Sequence, residues 1–107
     1  MSFKILPDPV FERELKRLAK KYPSIKSDLK IEINALMENP TMGKSLGNNC
    51  FKIRMAISSK NKGKSGGARL ITYVKIVDET VYLIAIYDKS ESDTISDNEI
   101  ADRVNGL

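Results

Sequence analysis

Phe51-Lys52-Ile53-Arg54-Met55-Ala56-Ile57 alternates apolar and polar side chains. After the loop Ser58-Ser59-Lys60-Asn61-Lys62-Gly63-Lys64-Ser65-Gly66-Gly67 a second extended run follows, Ala68-Arg69-Leu70-Ile71-Thr72-Tyr73-Val74-Lys75. A period of two is the mark of a strand with one face in the core. Phe51, Ile53, Met55 and Ile57 then point one way, and Lys52 and Arg54 the other. Between Phe51 and Lys75 there are seven Lys and Arg residues and no Asp or Glu. A block of one charge confined to one hairpin is an anion-binding surface on a built scaffold. At this scale the anion is a nucleic-acid backbone.

Upstream of this hairpin, Phe3-Lys4-Ile5-Leu6 reads as a short first strand. Pro7-Asp8-Pro9 follows, with Asp8 suited to an N-cap and Pro9 to the first helical position. Phe11, Leu15, Leu18 and Tyr22 then recur on one helical face. Arg13, Lys16, Arg17, Lys20 and Lys21 occupy the others. Tyr22-Pro23-Ser24 breaks the helix and offers Ser24 as the next N-cap. Ile25, Leu29, Ile33, Leu36 and Met37 carry a second helix to Asn39-Pro40. Residues 41–49, with Gly43, Gly47, Asn48 and Asn49, read as a loop.

Downstream, the Ala68 strand runs to Val77, and Asp78-Glu79 makes a two-residue hairpin turn. Thr80-Val81-Tyr82-Leu83-Ile84-Ala85-Ile86-Tyr87 is apolar enough to be a strand covered on both sides for much of its length. Ser96 and Glu99 form a capping box, Ile95 and Ile100 a hydrophobic staple, and Gly106 ends a last helix. The order is β-α-α-β-β-β-α. It describes one α+β domain over residues 1–107: a mostly antiparallel twisted sheet, a helical hairpin on one face and a short C-terminal helix. The other face is left partly open and carries Lys52 and Arg54.

The net charge of +4 conceals an asymmetry. Residues 1–50 hold nine basic and six acidic residues, residues 51–75 seven and none, and residues 76–107 two and eight. Cys50 is the sole cysteine, so no intramolecular disulfide forms, and it reads as a small core or edge residue. With no paired thiols and no signal-peptide pattern, the simplest compartment is the cytoplasm. No apolar run approaches the roughly 20 residues of a membrane span, so no membrane partner is expected. The absence of histidine removes the commonest metal ligand and the commonest general base. No metal and no cofactor are expected.

Gly63-Lys64-Ser65 resembles the tail of a phosphate-binding P-loop. That motif needs a glycine where Ser58 stands and a helix where a strand begins, so the match fails. The loop from Lys60 to Gly67 has a plain reading, a flexible solvated connection, beside a functional one, a mobile clamp on phosphates. The basic face of the first helix is read first as solvated surface. Lys52, Arg54 and Arg69 are harder to dismiss, because like charges on neighbouring strands repel. An anion relieves that repulsion. The plain alternative is that they reach solvent or pair with carboxylates of the last helix.

Three stretches taken together, Phe51 to Ala56, Gly63 to Tyr73 and Tyr82 to Glu91, resemble in order and spacing the RelE/ParE superfamily of bacterial toxins. The likeness is greatest to the HigB-like branch of RelE. Phe11-Glu12-Arg13-Glu14-Leu15-Lys16-Arg17-Leu18 fits that family's first helix. The resemblance implies a toxin of a type II toxin–antitoxin pair that cleaves messenger RNA in the ribosomal A site without a metal. In that reaction the ribose 2′-hydroxyl attacks the adjacent phosphate. By motif position Arg54, Arg69 and Lys89 match the family's catalytic groups, with Lys52 and Tyr87 beside them. Lys60, Lys62, Lys64, Lys16 and Lys20 are then the expected contacts to RNA or the ribosome.

The resemblance further implies a cognate antitoxin, and operator DNA contacted only through it. Arginine suits the negative phosphorane because its planar fork holds two phosphate oxygens. The base is left to Lys52 or Lys89 by crowding, or to Tyr87 or Glu91. Two other readings stand beside this one: a ParE-like DNA gyrase inhibitor without nuclease activity, and a non-catalytic RNA-binding module.

Overall fold

Asp8 opens the first helix as its sequence predicts, its carboxylate accepting from the Val10 N–H at 3.0 Å with Pro9 at the first helical position. The structure is a computed structural model that describes residues 2–92 and 94–107. Its elements run β1 (Lys4–Pro7), α1 (Pro9–Lys21), α2 (Ile25–Glu38), β2 (Lys44–Gly47), β3 (Cys50–Met55), β4 (Ala68–Lys75), β5 (Thr80–Asp88) and α3 (Asp97–Val104). The five-stranded sheet has the order β1-β5-β4-β3-β2. β1 is parallel to β5, and the other pairings are antiparallel.

The α+β class stands, with one strand more than expected. Residues 41–49 are not simply a loop, because β2 pairs with β3 and Gly47 faces Cys50. Asn48 and Asn49 both take left-handed backbone, with φ of 52° and 62°. Two such residues are what a tight hairpin turn requires, and asparagine tolerates them. The β4–β5 turn differs in the opposite sense. β4 stops at Lys75, Ile76–Asp78 forms one 3-10 turn, and only Glu79 is left-handed. A two-residue turn needs positive φ at both positions, which Asp78 does not adopt. The connection is therefore longer, and Ile76 and Val77 lie exposed outside the strand.

α1 and α2 cover one face. Phe11, Leu18, Tyr22, Ile25, Leu29 and Leu36 bury against Ile53, Met55, Leu70, Val74, Val81, Leu83 and Ile86. Emptying one such aromatic position costs about 3–5 kcal/mol. Ser24 precedes α2 but makes no capping bond to the helix backbone; its hydroxyl donates to Asp28 at 2.8 Å instead.

α3 covers part of the opposite face, with Ile100 among Cys50, Ile71, Ile84, Ala85 and Tyr87. Ser96 accepts from the Glu99 N–H at 3.1 Å, and Ile95 packs beside this cluster. A bulge lets both Ile84 and Ala85 face α3, because Ile71 pairs with Ala85 while Thr72 pairs with Leu83. Beyond Leu83, β1 has ended and side chains take over the outer edge of β5. Glu14 accepts from the Ile86 N–H at 3.2 Å, and Arg103 donates to the Ile84 carbonyl at 3.1 Å. Arg103 also grips both oxygens of Glu14, at 2.9 and 3.1 Å, tying α3 to α1. Among the described residues no helix is long and apolar enough to cross a membrane.

Candidate functional site

Antiparallel register sets Arg54 of β3 opposite Arg69 of β4, and Arg69 opposite Tyr87 of β5. Directly opposed residues share a face. The three form one row, about 10 Å long at the usual strand spacing. Lys52 lies on the same face two residues earlier, and Lys44 of β2 opposes it. The sheet thus gathers Lys44, Lys52, Arg54 and Arg69 on the face away from α1 and α2. Among the described residues no carboxylate of the last helix forms an ion pair with them. Among the described residues the ion pairs of α3 join Arg103 to Glu14 and Glu99.

The members of the row differ in what they offer. Arg54 is exposed and Lys52 half-buried. Arg69 is only 4% exposed. Its guanidinium donates to the carbonyls of Lys64 at 3.0 Å, Ala68 at 3.1 Å and Ser65 at 3.1 Å. Three of the five N–H groups of an arginine are thereby engaged, two of them on carbonyls of the basic loop. Lys89 follows β5 and is half-buried; its backbone N–H donates to the Gly67 carbonyl at 3.0 Å. Tyr87 was expected beside the catalytic groups, its hydroxyl one of the possible proton acceptors. It instead lies buried in the cluster under Ile100, and its hydroxyl has no hydrogen-bond partner among the described residues.

The loop after β3 is anchored near both ends, by carboxylates at Ser58 and Lys60 and by a tight glycine at Gly67. Asp28 of α2 accepts from the Ser58 N–H at 2.8 Å and from the Ser58 hydroxyl at 2.5 Å. Burial works to raise the Asp28 pKa, but the bonds from Ser58 and Ser24 outweigh it and hold the carboxyl below its ordinary value. At the other end Gly67 passes so close to β3 that a Cβ there would stand 2.1 Å from the Met55 carbonyl oxygen.

Lys60 was expected at the RNA surface. Its ammonium instead binds the fully buried carboxylate of Asp88 at 2.6 Å and lies over the Tyr22 ring. The Tyr22 hydroxyl donates to the same carboxylate, as do the N–H and hydroxyl of Ser90 at 3.0 and 2.8 Å. Burial again opposes ionisation, and Lys60, Tyr22 and Ser90 overcome it, holding Asp88 well below the usual carboxylate range.

Of the remaining expected contacts, Lys62 and Lys64 are exposed on the loop. Lys16 and Lys20 are exposed on α1, which covers the opposite face, so they do not join the row. Glu91, named as a possible proton acceptor, is paired with Arg17 at 3.2 Å and Lys21 at 3.6 Å.

Three residues were missed. Lys44 joins the basic face only because β2 exists; the adjacent asparagines before Cys50 were its signal, since both tolerate left-handed backbone. Asp28 and Asp88 act through partners 30 and 28 residues away, and no local pattern announces them.

Residues 10–104 match the family model described as the RelE toxin of the RelE/RelB toxin–antitoxin system. The fold is similar to that of a doubly substituted Escherichia coli RelE toxin in the free state, at 23% identity and TM-score 0.68, covering 97% of this chain and 99% of that one. It is similar to a chain of the intact E. coli RelBE toxin–antitoxin complex at 21% identity and TM-score 0.64, covering 81% and 96%. The isolated E. coli RelE toxin matches at 23% identity and TM-score 0.61, covering 96% and 99%.

Proposed function

Because the chain belongs to the RelE toxin family, whose model spans residues 10–104, we propose that it halts translation as a ribosome-dependent endoribonuclease. The observation that carries this reading is the register of Arg54 against Arg69, with Lys52 and Lys44 on the same face and, among the described residues, no carboxylate of the last helix paired to them. Opposed cations repel, and a phosphodiester laid across them removes the repulsion.

In the proposed reaction the ribose 2′-oxygen attacks the adjacent phosphorus and the bond to the 5′-oxygen breaks. The products are a 2′,3′-cyclic phosphate and a 5′-hydroxyl. Arg54, the exposed arginine, holds the phosphate oxygens as negative charge builds. Arg69 supports it from within, fixing the loop that carries Lys62 and Lys64 toward the RNA backbone. Lys52 or Lys89 takes the proton of the 2′-hydroxyl, the departing 5′-oxygen takes a proton from the resulting ammonium or from water, and a bound messenger held in strained geometry supplies the remaining alignment. No metal takes part in this scheme.

The proposed partner in the producing cell is an antitoxin. E. coli RelE is found with its RelB antitoxin. An acidic or extended segment suits a face that gathers four cations. Contact with operator DNA would come from that antitoxin.

The test is induction of the toxin with mapping of messenger 5′ ends, the parent compared with Arg54→Ala. New 5′ ends inside coding regions, absent with Arg54→Ala, are expected. Intact messengers accompanied by DNA breaks would replace this reading with gyrase inhibition.

A further inference from the structure

A single carboxylate joins the segments that surround the basic row. Asp88 is 0% exposed and ends β5, immediately before Lys89. Its Oδ1 accepts from Lys60 of the basic loop at 2.6 Å and from the Ser90 N–H at 3.0 Å, while Tyr22 at the end of α1 binds Oδ2. Lys21 stands 3.8 Å from the same oxygen. Lys89 is therefore held from both neighbours' sides: Asp88 before it and Ser90 after it converge on one point, and its own N–H is fixed to Gly67. In register, Asp88 faces Ala68 and Ala68 faces Met55, the row directly beside Tyr87, Arg69 and Arg54.

We propose that Asp88 is a positioning residue of the cleavage site: by holding Lys60 and Ser90 together it sets where Lys89 stands relative to Arg54 and Arg69. The consequence for rate rests on the endoribonuclease reading; the geometry does not. Asp88 touches no substrate. A buried carboxylate that gathers a lysine, a tyrosine and two groups of Ser90 has one stable arrangement, and that arrangement is what the neighbouring lysine inherits. A small misplacement of a catalytic group costs up to about a hundredfold in rate.

The test compares the parent with Asp88→Asn and Lys60→Met. The first keeps the shape and loses the charge; the second breaks the same knot from outside, and serves where the first folds poorly. Single-turnover cleavage on messenger-programmed ribosomes is measured across toxin concentrations. Amide hydrogen exchange is followed on the free proteins. The saturating rate should fall about 10- to 100-fold, with the half-saturating concentration moving less than about threefold. The Lys89 and Ser90 amides should exchange at least about tenfold faster, while those of β4 keep the parent's protection.

An unchanged saturating rate in a folded variant overturns the proposal. So does a shift in half-saturation alone, or an even rise in exchange across the whole fold, which marks a purely stabilising role. If the parent cleaves nothing, the endoribonuclease reading falls. The exchange data then decide the geometry by themselves: loosening confined to Lys89 and Ser90 keeps it, and unchanged protection there removes it.

Discussion

Arg54 and Arg69 face each other directly across β3 and β4, yet one is open to solvent and the other is sealed inside. Sequence alone makes them equivalent. Their surroundings set them apart: Arg54 has its side chain at the surface, and Arg69 holds the carbonyls of the loop beside it.

That division predicts opposite effects on stability. Arg54→Ala removes a like-charge opposition and should leave stability unchanged or raise it by up to about 1 kcal/mol. Arg69→Ala strands three buried or half-buried carbonyl contacts and should cost about 2–4 kcal/mol. Urea unfolding of the two variants checks this, and equal effects would mean the buried arginine does not brace the loop.

The carboxylates make the fold acid-labile in a definite window. Asp28 and Asp88 both sit below their ordinary pKa in the folded protein. Their stabilisation is fully present above about pH 4, the unfolded carboxylate range, and is lost as pH falls from there toward the folded values. Unfolding measured from pH 7 to pH 2 should show this loss begin near pH 4. Asp88→Asn should flatten the slope, and a parallel curve would deny Asp88 its part.

Gly67→Ala should be poorly tolerated, since its Cβ would collide with the Met55 carbonyl. Overpacking of this kind costs about 1–3 kcal/mol. The expected signature is a lowered unfolding midpoint with faster tryptic cleavage after Lys62 and Lys64. A midpoint equal to the parent's would show that β3 gives way easily.

The sequence carried the helices and the central strands well. Asp8 with Pro9, Ser96 with Glu99, and the alternation of Phe51 to Ile57 are local signals whose physics is complete within a few residues. β2 was lost because paired asparagines are a weaker turn signal than Asn-Gly, and Lys44 was lost with it. The pairing of Arg54, Arg69 and Tyr87 needed register. Arg69's inward bonds, Lys60's union with Asp88 and Tyr87's burial under α3 depend on contacts across the fold. Residue type and spacing cannot express these.

The most direct measurement is the single-turnover rate at which purified protein cuts a ribosome-bound messenger, with the parent and Arg54→Ala compared at saturating concentration. The account predicts cleavage by the parent that leaves a cyclic phosphate. It also predicts a loss of about a hundredfold or more in Arg54→Ala, the scale of removing one charge-stabilising donor. An Arg54→Ala rate equal to the parent's would contradict the claim that the cations of β3 and β4 steady the breaking linkage.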